Sequence, residues 1–333
     1  MLRKIAVLTS GGDSPGMNPA IRAIHRTAIS HGTEVIGISD GYDGIFKREF
    51  IELNDGAMAN ALDRGGTFLQ TSRCKRFYTE EGRQEALAIL RENEIGGVIV
   101  IGGDGSLSGA IELNKLGFPV IGIPGSIDND IWGTEMAIGV DTAANTIMSM
   151  IDRIKDTARS HRRCFLVEVM GRNSGYLALT TAISCGAEVA VVPEFRVNMD
   201  RVIHRLSEHY SRTKNNSIIV IAEGVCTADE FAERMKKSRG GDEFSQEARK
   251  TVLGHVQRGG VPTHFDRVLA SRMGELATIG LLQGESAMMT ALQRSRVTLI
   301  DLEKVIGVKK HPAPELIRLS RNLRIEFGDP VEV

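Results

Sequence analysis

Two runs of mostly β-branched residues, Val98-Ile-Val-Ile101 and Val120-Ile-Gly-Ile123, each end in a glycine-containing loop that carries aspartate. Apolar side chains at consecutive rather than alternate positions belong to strands buried on both faces, the habit of parallel sheets covered by helices. The first run leads into Gly102-Gly-Asp-Gly-Ser106. The second leads into Pro124-Gly-Ser-Ile-Asp-Asn-Asp130, which sets Asp128 and Asp130 one residue apart. Ligands of an open α/β sheet bind at the carboxyl ends of its strands, so these carboxylates are expected at a site rather than on a solvated face.

The same alternation of strand and helix runs through the chain. Ile5–Leu8 reads as a strand, followed by Gly11-Gly-Asp-Ser-Pro-Gly16 and by Asn18-Pro19, an expected N-cap with proline at the first helical position. That helix is expected to stop at His31-Gly32. Val35–Ile38 and Gly97–Ile101 read as strands around a helix over Gln84–Asn93; Cys164–Val169, Glu188–Val192 and Ser217–Ala222 read as later strands, with a helix over Met199–Arg212. Strand, Gly-Gly-Asp, small residues and helix occur once at Ile5–Ala20 and again at Val98–Leu113. The fold class expected is α/β, with two Rossmann-like doubly wound domains and mainly parallel sheets. The polar stretch Lys236–Phe244 is expected to be a surface loop.

Charge narrows the range of partners. Lys+Arg 41 against Asp+Glu 42 gives a net charge of -1, which argues against a nucleic-acid surface or a polybasic membrane anchor. The N-terminus turns polar too soon for a signal peptide, and no run approaches the ~18 apolar residues of a membrane span, so the cytoplasm is the expected compartment. Cys74, Cys164, Cys185 and Cys226 are widely spaced without a CxxC pair and are read as free thiols.

Glycines between a strand and a helix let backbone N–H groups and the helix dipole meet a polyphosphate. Neither loop is a P-loop, for Gly11–Asn18 lacks the Lys-Ser/Thr ending, and a strict GxGxxG is missing too. Asp104 is read as a Mg²⁺ ligand, with helix capping as the alternative. Asp128 is read as a general base, its proton affinity raised by nearby Asp130, with an Asx-turn as the alternative. Arg73, Arg163, Arg172, Arg249, His255 and Arg258 recur near strand ends and can fork onto phosphate oxygens.

Six ordered motifs carry a resemblance. They are Leu8-Thr-Ser-Gly-Gly-Asp-Ser-Pro-Gly-Met-Asn18, Gly65-Gly-Thr-Phe68, Ile101-Gly-Gly-Asp-Gly-Ser106, Pro124-Gly-Ser-Ile-Asp-Asn-Asp130, Glu168-Val-Met-Gly-Arg172 and Leu253-Gly-His-Val-Gln-Arg-Gly-Gly260. In these the chain resembles the bacterial-type ATP-dependent 6-phosphofructokinases along nearly its whole length. The resemblance implies Mg²⁺-assisted transfer of the ATP γ-phosphoryl to the 1-hydroxyl of fructose 6-phosphate, a glycolytic step. It also implies a homotetramer whose active sites are shared between subunits. A larger ATP-binding domain would hold 1–139 plus 252–305, and a smaller fructose 6-phosphate-binding domain 140–251 plus 306–333.

Residue roles follow from the same motifs. Gly11, Arg73, Cys74, Gly103, Asp104, Gly105 and Ser106 match the family's ATP and magnesium positions, with Asp104 on the metal and Arg73 near the transferring phosphoryl. Asp128 matches the catalytic base, Arg172 the cation that offsets phosphoryl charge, and Asp130 stands beside them. Ser126, Asp130, Met170, Gly171, Glu223, His255 and Arg258 would hold the sugar phosphate in the same subunit, with Arg163 and Arg249 arriving from a neighbouring subunit. Pyrophosphate-dependent relatives carry Asp where Gly105 stands and Lys where Gly125 stands, so ATP is the expected donor.

The departures concentrate at the effector site, which binds ADP or phosphoenolpyruvate. Arg22, Arg26, Glu188, Arg212 and Lys214 match it, but Lys155 replaces an arginine and Asp55-Gly56 replace an Arg-Tyr pair. Exchanging a phosphate-pairing cation for an anion removes a charge-assisted bond, so weak regulation is expected. A pyrophosphate-dependent kinase of the same fold and a non-catalytic regulatory subunit are the rival readings, the second being expected to lack Asp104, Asp128 or Arg172. A dinucleotide-binding oxidoreductase is weaker still, for want of a fingerprint.

Overall fold

The computed structural model describes residues 2–161, 163–213, 216–242, 244 and 248–331. In chain order the strands are β1 (Lys4–Ser10), β2 (Glu34–Ile38), β3 (Phe50–Glu52), β4 (Val98–Gly102), β5 (Val120–Pro124), β6 (Cys164–Val169), β7 (Val189–Val191), β8 (Phe195–Arg196), β9 (Ser217–Ala222), β10 (Arg249–Val252), β11 (Met288–Gln293), β12 (Arg296–Asp301) and β13 (Asp329–Pro330). The strands expected from apolar runs fall within a residue or two of these.

Two compact units divide the chain. One holds Met1–Ile127, Ile131–Thr142 and Arg258–Lys309; the other holds Asp128–Asp130, Ala143–Gln257 and Lys310–Val333. These limits differ from the expected 139, 252 and 305 by three to six residues, and Asp128–Asp130, expected in the larger domain, fall in the second unit; local bonds accompany these differences. Asp266 accepts hydrogen bonds from the Gly139 and Thr142 amides and from the Thr142 hydroxyl, which ties the start of helix Val140–His161 to the first unit. Gln257 accepts from the Met170 amide at 3.1 Å within the second unit, whereas the Arg258 guanidinium lies against Gly12 of the first. Lys309 bridges to Ile131 in the first unit, and Lys310 donates to Asn129 in the second.

The first unit is built on a sheet of order β12-β11-β5-β4-β1-β2-β3. Its central pairs are parallel, while β3 and β12 run antiparallel to their neighbours. From β1 the chain moves to β2 on one side and then to β4 on the other, which makes the β1/β4 boundary the switch point of a doubly wound sheet. Helix Met17–Ser30 buries Ile21, Ile24 and Ala28 against Leu269, Met273 and Ala277 of helix His264–Leu282. The spacing of three and four on the first helix and of four and four on the second gives one apolar stripe each. Each large aliphatic side chain buried there stabilises the fold by about 1.5–3 kcal/mol. Gly274 sets the approach, since a Cβ on it would lie 2.7 Å from the Ala20 carbonyl oxygen.

That first helix begins at Met17 rather than Pro19, and its N-cap is Gly16, not Asn18. Gly16 has φ 118 and a Cβ there would meet Ile138 at 2.5 Å, so the turn is closed to any other residue. Asn18 is thereby freed to bind a neighbouring segment. Its amide donates to the carbonyls of Arg64 and Gly65, and its oxygen accepts from the Phe68 N–H. Pro19 remains tolerable because the first four amides of a helix have no intrahelical acceptor.

The second unit holds the parallel sheet β10-β6-β9-β7. Its core sets Leu166, Ile219 and Ile221 against Leu206 and Phe231. Helix Met199–Thr213 agrees with expectation. The expected loop from Lys236 does not: helix Ala228–Lys237 runs to Lys237, held at its start by a capping box between Thr227 and Glu230. All four cysteines are free and buried.

Candidate active site

In the first unit the carboxyl ends of three adjacent strands lie level, with Ser10 of β1 paired to Gly102 of β4 and Gly102 paired to Pro124 of β5. The loop after β1 turns back at Gly11, whose carbonyl accepts from the Thr71 hydroxyl at 2.8 Å. A Cβ on Gly11 would come within 3.1 Å of the Ser106 hydroxyl. The loops after β1 and β4 and the segment bearing Arg73 are therefore fastened together. Arg73 itself is exposed, whereas Cys74 is buried and burial pushes its thiol up, which keeps it protonated at neutral pH.

After β4, Gly103 is the N-cap of helix Asp104–Lys115 and no side chain caps this end. Asp104 is thus the first helical residue and not the cap. Its exposed carboxylate accepts a long bond, 3.4 Å, from the Gly307 amide. The first-turn amides and the dipole of this helix favour an anion, so phosphate oxygens and Asp104 would compete here unless a cation joined them. Ser106 is buried, and its carbonyl accepts from the Tyr42 hydroxyl at 2.7 Å.

Two glycines of the donor argument behave differently. A Cβ on Gly105 would meet nothing within 4 Å, whereas one on Gly125 would press on Ile101 and Met17 at 3.2 Å. A side chain at 125 would thus require Ile101 and Met17 to give by a few tenths of an ångström, whereas one at 105 would displace nothing. Ser126 is half-buried, 4.0 Å from where a Gly103 Cβ would stand. Arg258, also in this unit, lies along Gly12 with Nη1 4.0 Å from Asp13.

The second unit carries the other cluster. Asp128 is buried, and its Oδ2 faces Nε of Arg172 at 3.8 Å; the side chains are 8% and 60% exposed respectively. Gly171 and Arg172 both have positive φ, 142 and 48. This strained turn is pinned from behind: the Arg172 amide donates to Glu223 Oε1 at 3.2 Å, and a Cβ on Gly224 would lie only 1.6 Å from the Arg172 carbonyl oxygen. Glu223, expected at the sugar, is thus also the residue that fixes the Arg172 backbone. Met170 is buried and bonded to Gln257.

Asn129, between Asp128 and half-buried Asp130, has φ 50 and is 1% exposed. Its Oδ1 accepts from Lys310 Nζ at 2.9 Å, and the same ammonium lies 6.0 Å above the Tyr176 ring. Neither Asn129, Lys310 nor Gln257 was singled out from the sequence; a basic pair just before His311-Pro312 was the available signal. Arg163 is half-buried just before β6, Arg249 is exposed at the start of edge strand β10, and His255 is exposed on the turn Gly254–Arg258.

The effector residues divide between the units. Arg22 and Arg26 lie on helix Met17–Ser30 of the first. In the second, Lys155 donates to the Cys185 carbonyl and Arg212 pairs with Glu208 at 2.8 Å. Glu188 is buried, which pushes its carboxyl up; it accepts from the Ile218 amide at 2.7 Å and sits 3.3 Å from His209. Lys214 lies outside the described residues.

Known proteins supply an independent comparison. A family model described as phosphofructokinase matches residues 4–281. An ATP-dependent 6-phosphofructokinase of Shouchella clausii is 47% identical over 97% of this chain and 100% of its own length. Among solved structures, a phosphofructokinase from Saccharomyces cerevisiae superposes with a TM-score of 0.85 at 32% identity, over 98% of this chain and 48% of the yeast one. A pyrophosphate-dependent phosphofructokinase from Nitrosospira multiformis shares the fold, with a TM-score of 0.85 at 17% identity over 100% of this chain and 94% of that one.

Proposed function

Because the chain belongs to the phosphofructokinase family, we propose that it transfers the γ-phosphoryl group of ATP to the 1-hydroxyl of fructose 6-phosphate, giving fructose 1,6-bisphosphate and ADP. The observation that carries this reading is Asp128, a buried carboxylate facing the Arg172 guanidinium at 3.8 Å. A carboxylate kept from water and steered by one cation is suited to take a hydroxyl proton. In the reaction Asp128 accepts the proton of the 1-hydroxyl as that oxygen bonds to phosphorus and the bond from phosphorus to the ADP oxygen breaks. Arg172 and Arg73 offset the charge on the phosphoryl oxygens, since this chemistry relies mainly on position and electrostatics. Met170, Gly171, Glu223 and His255 hold the sugar with Ser126 and Arg258, while Asp130 supports the base.

Asp104 would hold Mg²⁺. Among the described residues no three His, Cys, Asp or Glu side chains cluster as a preformed cage. A single exposed carboxylate fits this ion, which usually keeps several waters and binds through one or two carboxylates plus substrate phosphates. When bound, the ion neutralises charge on the donor phosphates. Gly11, Cys74, Gly103, Gly105 and Ser106 form the nucleotide side, with the free amides of helix Asp104–Lys115 meeting phosphate oxygens.

Open space around Gly105 supports ATP over pyrophosphate as donor, because the small residue there answers to the ligand rather than to the fold. The enzyme acts as a cytoplasmic homotetramer in which Arg163 and Arg249 serve a neighbouring subunit's site; among the described residues no helix is long and apolar enough to cross a membrane. A coupled assay with Mg²⁺ and fructose 6-phosphate tests the reading. Turnover is expected with ATP and should be absent with pyrophosphate. The reverse pattern would make this a pyrophosphate-dependent kinase, and inactivity with both a regulatory subunit.

A further inference from the structure

Away from the residues assigned to catalysis, the second unit contains a cavity of about 630 Å³ between helix Met199–Thr213 and the segment running from helix Pro314–Asn322 to β13. That volume lies within the ~300–1,000 Å³ of small-molecule sites. Arg201, Arg205 and Arg212 reach it from the first helix, and Arg321 and Arg324 from the second segment. Five guanidinium groups face three carboxylates, Glu208, Glu326 and Asp329, which leaves a surplus of two positive charges.

The surplus is localised. Arg201 is well matched, 2.6 Å from Asp329 and 3.2 Å from Glu326. Glu208 by contrast serves three arginines alone: Arg212 at 2.8 Å, and Arg205 and Arg324 both at 3.6 Å. Only the first is within hydrogen-bond distance. Nε of Arg205 is buried without a hydrogen-bond partner among the described residues. The Arg321 guanidinium lies 5.7 Å over the ring of Phe327, which is itself buried.

We infer that this cavity is a binding site for a phosphorylated small molecule. Each guanidinium presents five N–H donors in a fixed fork, and Arg205 and Arg324 leave theirs largely unused. A tetrahedral phosphate offers three outward oxygens, enough to meet Arg205, Arg212 and Arg324 together, where a planar carboxylate matches one fork well. Glu208 holds the three arginines close in the meantime, which lowers the cost of ordering them. The body of the ligand lies toward Arg321. Arg212 alone is shared with the expected effector residues, and none of the others takes part in the proposed chemistry.

Tungstate, a tetrahedral dianion with strong anomalous scattering, is the probe. Soaked into crystals of the wild-type enzyme, it should give a peak enclosed by Arg205, Arg212 and Arg324, with the phosphate positions of the active site as internal control. Arg205→Gln combined with Arg324→Gln should abolish that peak only, with turnover of ATP and fructose 6-phosphate retained. Arg205→Lys keeps the charge but loses the fork, and should raise the tungstate concentration for half occupancy about tenfold. An empty cavity in wild-type crystals whose control sites are filled overturns the proposal whatever the variants do. So does a peak unchanged in the double variant, which would mark an adventitious ion only.

Discussion

Oδ1 of Asp55 lies 3.5 Å from Nε2 of His25, whose ring has no exposed surface. An aspartate that is itself 79% exposed, at the first turn of helix Asp55–Ala59, is thereby drawn onto the helix that carries Arg22 and Arg26. The position where the resemblance implies a cation is held here by an anion facing a buried imidazole. A phosphate approaching those two arginines would meet that carboxylate.

Phosphoenolpyruvate and ADP should accordingly shift the half-saturation for fructose 6-phosphate by less than about fivefold, under the ~5–150-fold of ordinary coupling. Lys47 and Arg48 are already engaged elsewhere: Lys47 pairs with Asp43 at 2.8 Å and Asp40 at 3.4 Å, and Arg48 with Glu92 at 2.6 Å. Asp55→Arg should widen the shift. A response of tenfold or more in the unaltered enzyme would show that regulation has another source.

Asp128→Asn preserves volume at a buried position and removes the proton acceptor. It should lower kcat by at least ~10²-fold, the low end for general acid–base catalysis, with KM for the sugar little changed. Near-normal kcat in the purified variant would take the base away from Asp128.

Gly105→Asp separates donor chemistry from folding. With nothing within 4 Å of the new Cβ, the melting temperature should stay within a degree or two, on the order expected for a surface change. The KM for ATP should nonetheless rise steeply, because a carboxylate would stand among the nucleotide phosphates. An unchanged KM removes the donor argument.

Asp266 links pH to stability. It has no exposed surface, and burial pushes its carboxyl up to about 6 despite the hydrogen bonds from Thr142 and Gly139. A folded-state value above the unfolded ~3.9 means that protons bind the native form more tightly, so this contribution is present at low pH and lost as pH rises through about 6. Compared with Asp266→Asn, the wild-type enzyme should gain about 1 kcal/mol on passing from pH 7 to pH 5, read from urea midpoints. A difference that stays constant over that interval would mean Asp266 does not titrate there.

The strands were legible in the sequence because a buried strand needs little beyond an unbroken apolar run, and Val98–Ile101 and Ser217–Ala222 supply one. The loops at their ends were legible because aspartate and glycine have few reasons to follow such a run. Asn18 misled for a physical reason: an Asn-Pro pair near a helix start reads as a cap, and nothing local reveals that Gly16 must occupy the cap so that Asn18 can hold the segment from Arg64 to Phe68. Lys310 is separated from Asn129 by most of the chain, so its role could not come from spacing. The arginines of helix Met199–Thr213 have the pattern of a solvated face, and only the return of Arg321 and Arg324 makes them a cluster.

The level ends of β1, β4 and β5 bear on how such an enzyme can change over time. Deleting one residue within any of these strands would draw its loop back by about 3.3 Å relative to the other two and turn its core side chains to the opposite face. Length changes inside the sheet are therefore disfavoured, and novelty at the site comes more readily as single substitutions in the loops and in the first helical turns that follow them. Residue 105, with empty space around it, is where such a substitution meets least resistance from the fold. Donor preference can in this way drift within a lineage while the scaffold that presents the sugar stays as it was.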